Sequence, residues 1–251
     1  MMVNITLSNI FQPGNVYVED AYKTIYLTPQ MPLIFDANKW VYKQMPSIQQ
    51  WKADIATQTD FHKQQNSNHL TFTFPENVAL DQQWLGLISQ EQFELGLMEL
   101  YAIEPQKFKK YIDSEVEVKV VDAHTIDDYI SVHSQFAAPY GEGYVKESTN
   151  MIKNQYINDA KTRLIAYRQG VPAGILDLII DETTVEIDGF GVLTCHQRQG
   201  VGSVMQSFAA ELAMPKPLIL IADGEDSAKD MYVKQGYVFI SFCYHIVKED
   251  I

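Results

Sequence analysis

The string Gln197-Arg198-Gln199-Gly200-Val201-Gly202-Ser203 constrains the fold of this chain more than any other part of the sequence. It follows a predicted strand over residues 184–194 and opens a predicted helix over residues 199–213. Two glycines let the backbone turn tightly and approach a ligand without a Cβ in the way. The free N–H groups of a first helical turn, together with the helix dipole, favour an anion such as a pyrophosphate. A surface turn whose glycines serve only its own geometry is the alternative interpretation.

Two other phosphate-binding patterns fit the sequence less well. The Walker A string G-x-x-x-x-G-K-[ST] does not occur in it. A dinucleotide fingerprint needs a third small residue, where this chain has Met205. Asp223 stands about where a ribose-binding acid would, so this alternative stays open, but the bulky Met205 and the series of strands before the glycines count against it.

The composition is that of an ordinary globular protein. Of 251 residues, 46% are apolar and 20% are charged, and the length allows one large domain or two small ones. No stretch of about 18 apolar residues exists, so we expect no membrane-spanning segment. The N-terminus has no basic region followed by an apolar run, so we expect no signal peptide.

The charge and the cysteines narrow the function further. The 32 acidic and 19 basic residues give a net charge of -13, which disfavours binding to a nucleic-acid backbone. Two cysteines cannot form a disulfide framework and fit a reducing compartment, so we expect a cytoplasmic protein. No spacing of His, Cys and acidic residues is typical of a metal site, so we predict none.

The chain is predicted to contain two domains, over residues 1–115 and 116–251. The second half has the predicted order β-α-α-β-β-β-α-β-α-β, with a helix over residues 227–235 that ends at Gly236. The first half is predicted to be an α+β domain, but its patterns are weaker. Residues 40–56, for example, are predicted to be helical.

Two strings in the second half together match the pattern of one known family. The string Val185-Glu186-Ile187-Asp188-Gly189-Phe190-Gly191-Val192, followed by Gln197 to Gly202, resembles the acetyl-CoA motif Q/R-x-x-G-x-G/A of the GCN5-related N-acetyltransferases (GNAT family). The later string Ala228-Lys229-Asp230-Met231-Tyr232-Val233-Lys234-Gln235-Gly236-Tyr237 resembles their second motif, with Tyr237 in place of the usual Phe. Both strings stand in the family's order, and the resemblance covers about residues 116–247.

The resemblance implies a fold and a donor site. The fold is a mixed, mostly antiparallel sheet with helices on both faces, in which the strand ending near Thr194 and the strand over residues 217–222 splay apart to admit the pantetheine arm of acetyl-CoA. One position departs from the family, because Glu225 stands where an Asn usually helps to hold the pantetheine, and an ionised carboxylate accepts but cannot donate a hydrogen bond. The implied contacts with acetyl-CoA involve Val192, Leu193 and Thr194 along the pantetheine, and Gln197, Arg198, Gln199, Gly200, Val201, Gly202 and Ser203 around the pyrophosphate.

The resemblance also implies the catalytic residues. Tyr232 would protonate the departing thiolate, and a carboxylate at Glu186, or a water that it holds, would deprotonate the amine. Glu186 and Asp188 are two apart on a predicted strand, so they share a face, and their repulsion should raise one of the two pKa values. A solvated polar strand face and a Tyr packed against the sheet are the structural alternatives.

The sequence therefore predicts an N-acetyltransferase that acts on a primary amine of a small molecule or peptide. The negative net charge favours a cationic acceptor, such as a polyamine, an aminoglycoside-like molecule or a basic protein terminus. A non-catalytic acyl-CoA-binding sensor or interaction module is the alternative. The first half is either a degenerate copy of the same fold or an unrelated cap, and a homodimer stays open.

Overall fold

A computed structural model of the chain describes residues 5–224 and 228–251. Within them, the strands are β1 (Val16–Glu19), β2 (Lys23–Tyr26), β3 (Trp40–Tyr42), β4 (His69–Thr73), β5 (Glu94–Ile103), β6 (Val116–Val120), β7 (Lys161–Arg168), β8 (Val171–Ile180), β9 (Val185–Val192), β10 (Leu218–Asp223) and β11 (Val238–Glu249). The α-helices are α1 (Ile48–Gln64), α2 (Gln82–Gln90), α3 (Ile126–Ala137), α4 (Glu142–Gln155), α5 (Val201–Ala213) and α6 (Ala228–Gln235).

The contacts divide the chain into two units, and both are built from separate segments. The first unit contains Tyr101–Ile221 and Asp230–Val238. The second unit contains Thr6–Leu100, Ala222–Lys229 and Phe239–Ile251. Nearly all of the C-terminal strand β11 thus belongs to the second unit, although it is far in sequence from most of that unit. The boundary that we predict at residue 115 stays a prediction.

The first unit has the strand order β6-β7-β8-β9-β10. Its neighbours pair antiparallel except β9 and β10, which pair in parallel and are joined by α5. Ile175 of β8 packs with Tyr129 of α3 and Ile165 of β7, whereas a Cβ on the adjacent Gly174 would meet Met205 of α5. Adjacent strand residues face opposite sides, so α3 and α5 cover the two faces of this sheet. The predicted fold class, a mixed and mostly antiparallel sheet flanked by helices, is confirmed.

The second unit has the strand order β1-β2-β3-β4-β11-β5. Strands β3 and β4 pair in parallel and are joined by α1, which is the same strand–helix–strand arrangement as β9–α5–β10. An aromatic core fills this unit, and its residues include Trp40, Trp51, Phe72, Phe74 and Phe93. The two units therefore share a local topology despite their different sequences.

The prediction of one helix over residues 40–56 is wrong. Trp40 and Tyr42 belong to β3, where both side chains are buried, and α1 begins only at Ile48. The start of α1 is set by Ser47, whose side chain accepts a hydrogen bond from the Gln50 N–H at 3.1 Å. Pairing of β3 with both β2 and β4 overrides the local pattern, because it satisfies the backbone groups of Trp40–Tyr42 on both sides.

Two kinds of feature are absent from the described residues. No helix among residues 5–224 and 228–251 is both long enough and apolar enough to cross a membrane. In the same part of the chain, no three His, Cys, Asp or Glu side chains are grouped so that they could hold a metal ion.

Two buried histidines in the second unit should make the folded protein less stable in acid. His62 and His69 are fully buried with ring centroids 4.9 Å apart, and burial together with the nearby His62 lowers the pKa of His69 to about 4. The unfolded chain binds protons more readily, so stability should be lost as the pH falls from about 6.5 towards 4, by roughly 3 kcal/mol at most for His69.

We expect His69→Phe to reduce this loss of stability. Phe keeps a ring stacked on Phe35, 4.1 Å away, and cannot take up a proton. Urea unfolding at pH 7.5 and pH 5 measures the effect, with His124→Gln as the control because His124 is exposed. An equal loss of stability in wild type and His69→Phe would contradict the prediction.

Candidate functional site

The connection from β9 to α5 is a short, internally braced loop. Thr194–His196 form a 3-10 turn directly after the strand. The Gln197 side chain donates to the Val192 carbonyl at 3.1 Å, and the Gln199 side chain donates to the Cys195 carbonyl at 2.9 Å. Both glutamine side chains thus hold the loop together, while the residues themselves remain exposed.

Gly200 makes the transition into α5 possible. It is the N-cap residue and has φ 80° and ψ -11°, a left-handed conformation that glycine adopts without steric cost. A Cβ at Gly200 would lie 2.9 Å from Cε1 of Tyr111, so the close approach of that ring also requires glycine. Arg198, exposed and with φ 57°, adopts the same uncommon region.

The N-terminus of α5 has no capping side chain. Helices α1 and α2 are capped, since Ser47 accepts a hydrogen bond at the start of α1 and Asp81 does so at the start of α2, whereas α3 and α4 also lack a capping side chain. The first N–H groups of a helix need partners from outside the helix, and an anion supplies them. Val201 is buried and anchors the first turn, whereas Gly202 and Ser203 are partly exposed. This arrangement suits a phosphate group.

Arg168, at the end of β7, orients the loop. Its Nη1 donates to the Gln199 carbonyl at 3.0 Å, and its Nη2 donates to Oε2 of Glu115 at 2.6 Å. The C=O and N–H of a trans peptide point in opposite directions, so fixing the Gln199 carbonyl aims the Gly200 N–H away from Arg168. Sequence reasoning missed this residue, and no motif marks it.

We expect Gly202→Asp to weaken CoA binding about ten- to thirtyfold relative to Gly202→Ala, because a fixed carboxylate competes with the bound anion. A Cβ at this position would lie 3.1 Å from Cζ of Phe190, a tight contact that both variants share. Gly202→Ala is therefore the matched control for size.

An acidic residue in the first turn favours the helix itself, so Gly202→Asp should fold. Titration calorimetry with CoA measures the affinity, and circular dichroism checks the fold. Equal CoA affinity of the two folded variants would rule out an anion at this turn.

Strands β9 and β10 are in register over Val185–Ile187 and Leu218–Leu220. Both strands continue further, to Val192 and Asp223, and within the described residues the register stops at Ile187. Beyond Ile187 the edge of β9 that faces β10 is outside this pairing, and a ligand can pair with such a strand edge.

Several backbone groups just beyond the end of β9 already form hydrogen bonds within the protein. The Leu193 N–H donates to the Ala173 carbonyl at 2.9 Å, so it pairs with the β8 side of the sheet. The Leu193 and Thr194 carbonyls accept hydrogen bonds from His196 and Gln197, at 2.7 and 3.3 Å. Strand β9 ends at Val192, two residues before the predicted end, because Thr194 enters the turn.

The two candidate bases differ in their surroundings. Glu186 is 7% exposed, and its row of the sheet includes Ile179 of β8 and Ile219 of β10. Asp188 is more exposed, and its Oδ2 lies 2.5 Å from Nζ of Lys161. The ammonium of Lys161 thus offsets the charge of Asp188, and with it the repulsion between Asp188 and Glu186 that the sequence predicts.

Asp177 is a further buried carboxylate, and it lies directly opposite Asp188 in the β8–β9 register. Burial raises the pKa of Asp177, while the ammonium of Lys161 at 3.5 Å and a 2.7 Å hydrogen bond from Tyr129 act against the rise. Burial lowers the pKa of Lys161, but the charges of Asp188 and Asp177 outweigh it and raise the pKa overall. Sequence reasoning missed Asp177 because its partners come from other strands and from α3.

Tyr232 lies on α6 and is 8% exposed. Its ring meets the ring of Tyr237 edge-on, with centroids 5.7 Å apart. Burial raises the pKa of Tyr237, so that phenol stays protonated at neutral pH. Glu225, the remaining predicted contact of the donor, lies outside the described residues.

Comparisons with known proteins identify both halves of the sequence. Residues 129–237 match the acetyltransferase (GNAT) family, and residues 5–101 match a domain of unknown function, DUF5613. A functionally unknown conserved protein from Staphylococcus epidermidis ATCC 12228 is 43% identical, with 98% of each chain covered and a TM-score of 0.93. No curated protein matches the chain.

Two more distant structures share the fold. A GCN5-related N-acetyltransferase from Kribbella flavida has a TM-score of 0.61 at 15% identity, covering 94% of this chain and 89% of its own. A tandem GNAT protein from the clavulanic acid biosynthesis pathway has a TM-score of 0.54 at 9% identity, covering 85% of this chain and 75% of its own. At these identities the similarity concerns the fold alone.

Proposed function

Because the chain belongs to the GCN5-related N-acetyltransferase family, we propose that it moves an acetyl group from acetyl-CoA to a primary amine of an acceptor. The observation that carries the proposal is the uncapped N-terminus of α5, entered through the left-handed Gly200 and preceded by an exposed loop. Acetyl-CoA, when bound, supplies an activated acetyl thioester.

The proposed donor site follows from this loop. The backbone N–H groups of Gly200, Gly202 and Ser203 would bind the pyrophosphate, and Arg198 would add a charge-assisted contact. None of the ion pairs among the described residues includes Arg198. A phosphate that binds its guanidinium would therefore displace no acidic side chain of an ion pair. The pantetheine would run along β9 past Val192 and Thr194, where β9 continues beyond its register with β10.

Glu186 is the proposed general base. An amine is protonated near neutral pH and must lose a proton before it attacks a carbonyl carbon. Glu186 is buried and stands at the position that the family resemblance gives to the base, and Asp188 forms an ion pair with Lys161. Glu186, directly or through a water, would therefore accept the proton, and Asp188 would hold Lys161 in place.

Tyr232 is the proposed general acid. The thiolate that leaves on acetyl transfer must gain a proton, and a phenol, whose ordinary pKa is about 10, can donate it. The phenolate would then recover a proton from solvent. The acceptor stays a small-molecule or peptide amine, and the net charge of -13 favours a cationic one.

We also propose that residues 1–115 form a degenerate copy of the domain over residues 116–251. The arrangement β3–α1–β4 repeats β9–α5–β10, and the two family matches, over residues 5–101 and 129–237, fall on either side of the boundary. The Ser47 side chain caps the N-terminus of α1. At the corresponding place in the second copy, the start of α5, the N–H groups would be left for the pyrophosphate. The copy over residues 1–115 would therefore not bind CoA, and we expect one CoA per chain.

A CoA-binding sensor without catalysis is the second candidate, favoured by Glu225 at the position of the usual Asn. Calorimetry with acetyl-CoA, together with transfer assays on a panel of polyamines, amino sugars and peptides, separates the two functions. Tight binding with transfer supports the enzyme, and tight binding without transfer to any amine supports the sensor. Both cysteines are free thiols, which supports the proposed cytoplasmic location.

A further inference from the structure

Two large apolar side chains stand exposed in the segment before β6, and one of them, Tyr111, lies next to the start of α5. Tyr111 is 46% exposed and Ile112 is 75% exposed, and they follow one another in the segment before β6. We call these two residues the linker patch. Single exposed apolar residues are common on proteins, whereas adjacent ones beside a candidate anion site mark a surface that a ligand can cover.

The segment that carries the patch is fixed to α5. The Tyr111 N–H donates to Oγ of Ser207 at 2.8 Å, and that hydroxyl donates to the Ser203 carbonyl at 2.8 Å. One residue earlier, Lys110 forms an ion pair with Glu211, also on α5. The backbone of Tyr111 therefore keeps its position relative to the first turns of the helix.

The same segment is fixed to the loop on its other side. Asp113 and Glu115 both pair with Arg168, at 3.5 and 2.6 Å, and Arg168 donates to the Gln199 carbonyl. The backbone of the patch is therefore held between two anchors, so a ligand that covers it need not order this segment.

The ring of Tyr111 lies directly at the helix start. From the position of a Cβ on Gly200, Cε1 of Tyr111 is 2.9 Å away and the phenol oxygen is 3.1 Å away. One side of the ring thus contacts the N-cap residue of α5, and nearly half of the side chain faces solvent. A ligand whose phosphate binds the first turn would place its next chemical group beside this ring.

We propose that the linker patch binds the adenine base of CoA, with Tyr111 as the stacking residue. The inference rests on the proposed donor site and adds to it a segment outside both family motifs. A flat base joined to a phosphate matches the chemistry of the surface, namely an aromatic ring beside free N–H groups. An aromatic ring can stack on the π-face of a base at an open surface.

Binding of two ligands to the wild type and three variants tests the proposal. CoA and 3′,5′-ADP are titrated by calorimetry into wild type, Tyr111→Ser, Tyr111→Leu and Tyr111→Phe. We expect Tyr111→Ser to lower the affinity for both ligands by the same factor, about five- to twentyfold for a base stacked on one side. Tyr111→Phe should bind within about twofold of wild type, because the ring remains.

Tyr111→Leu separates stacking from packing. Leu keeps apolar volume against Gly200 but has no ring, so we expect it to weaken both ligands almost as much as Ser does. Tyr22→Ser is the control, since Tyr22 is 65% exposed and belongs to the second unit. Thermal unfolding of each variant shows that the fold is retained.

The outcomes separate this inference from the proposed function. Wild-type CoA affinity in Tyr111→Ser, or full recovery in Tyr111→Leu, would overturn the role of the patch and leave the donor site standing. Weaker CoA binding with unchanged 3′,5′-ADP binding would also overturn it, because the base is common to both ligands. No CoA binding by the wild-type protein would overturn the proposed function and the inference together.

Discussion

The Tyr232→Phe variant is expected to transfer acetyl groups about a hundredfold more slowly than the wild type, near the lower end of the range for general acid catalysis. The thiolate of CoA leaves fairly easily, which is why the lower end applies. Phe retains the ring that packs edge-on against Tyr237, so the helix and its contact should survive. An interaction made only in the transition state lowers kcat and kcat/KM together, so acetyl-CoA affinity should not change.

Tyr237→Phe provides the matched control for this experiment. Tyr237 is 3% exposed, and within the described residues its hydroxyl has no hydrogen-bond partner. Removing that hydroxyl should leave turnover unchanged and cost no stability. Steady-state kinetics with an accepted amine and direct titration of acetyl-CoA measure both variants. Full activity in Tyr232→Phe, or equal losses in the two variants, would remove Tyr232 as the acid.

Glu186→Gln is expected to lower kcat/KM for the amine by about a hundred- to a thousandfold at pH 7, because an amide cannot accept the proton of the ammonium. The loss should shrink as the pH approaches about 10, where a lysine-like acceptor amine becomes deprotonated in solution. Donor affinity should stay near that of the wild type, since Gln keeps the size of the buried side chain.

Asp188→Asn tests the choice between the two carboxylates. Asp188 lies on the same face of β9 but forms an ion pair with Lys161. Asp188→Asn should therefore lower kcat/KM only by changing the position of Lys161, and the activity should not recover at high pH. The measurement is the pH dependence of kcat/KM for both variants with one acceptor. A larger, pH-dependent loss in Asp188→Asn than in Glu186→Gln would transfer the role of base to Asp188.

Local sequence encoded the parts of the donor site that depend on backbone conformation. Gly200 adopts a left-handed conformation that few other residues adopt, and it directly precedes Val201, where α5 begins two residues after the predicted helix start. The order of elements in the second half was predictable for the same reason, since each strand or helix there has a clear period and a clear end.

The first half was harder to predict because its elements are short and depend on pairing. Trp40–Tyr42 forms only three residues of strand, and the residues on either side of it do not alternate enough to separate it from the helix that follows. The parallel pairing with β4, across the whole length of α1, decides its conformation. A short stretch of sequence around Trp40–Tyr42 does not include β2 or β4, the strands with which it pairs.

The sequence alone determined the glycine turn, the helix that follows it and the family to which the second half belongs. The tertiary structure alone decided which groups meet there: Asp177 opposite Asp188, Tyr111 against Gly200, and Arg168 on the Gln199 carbonyl. Turn and helix signals are local, because they depend on the φ and ψ preferences of a few adjacent residues. Contacts between residues far apart in the chain depend on strand register and packing, for which no periodic pattern exists along the sequence.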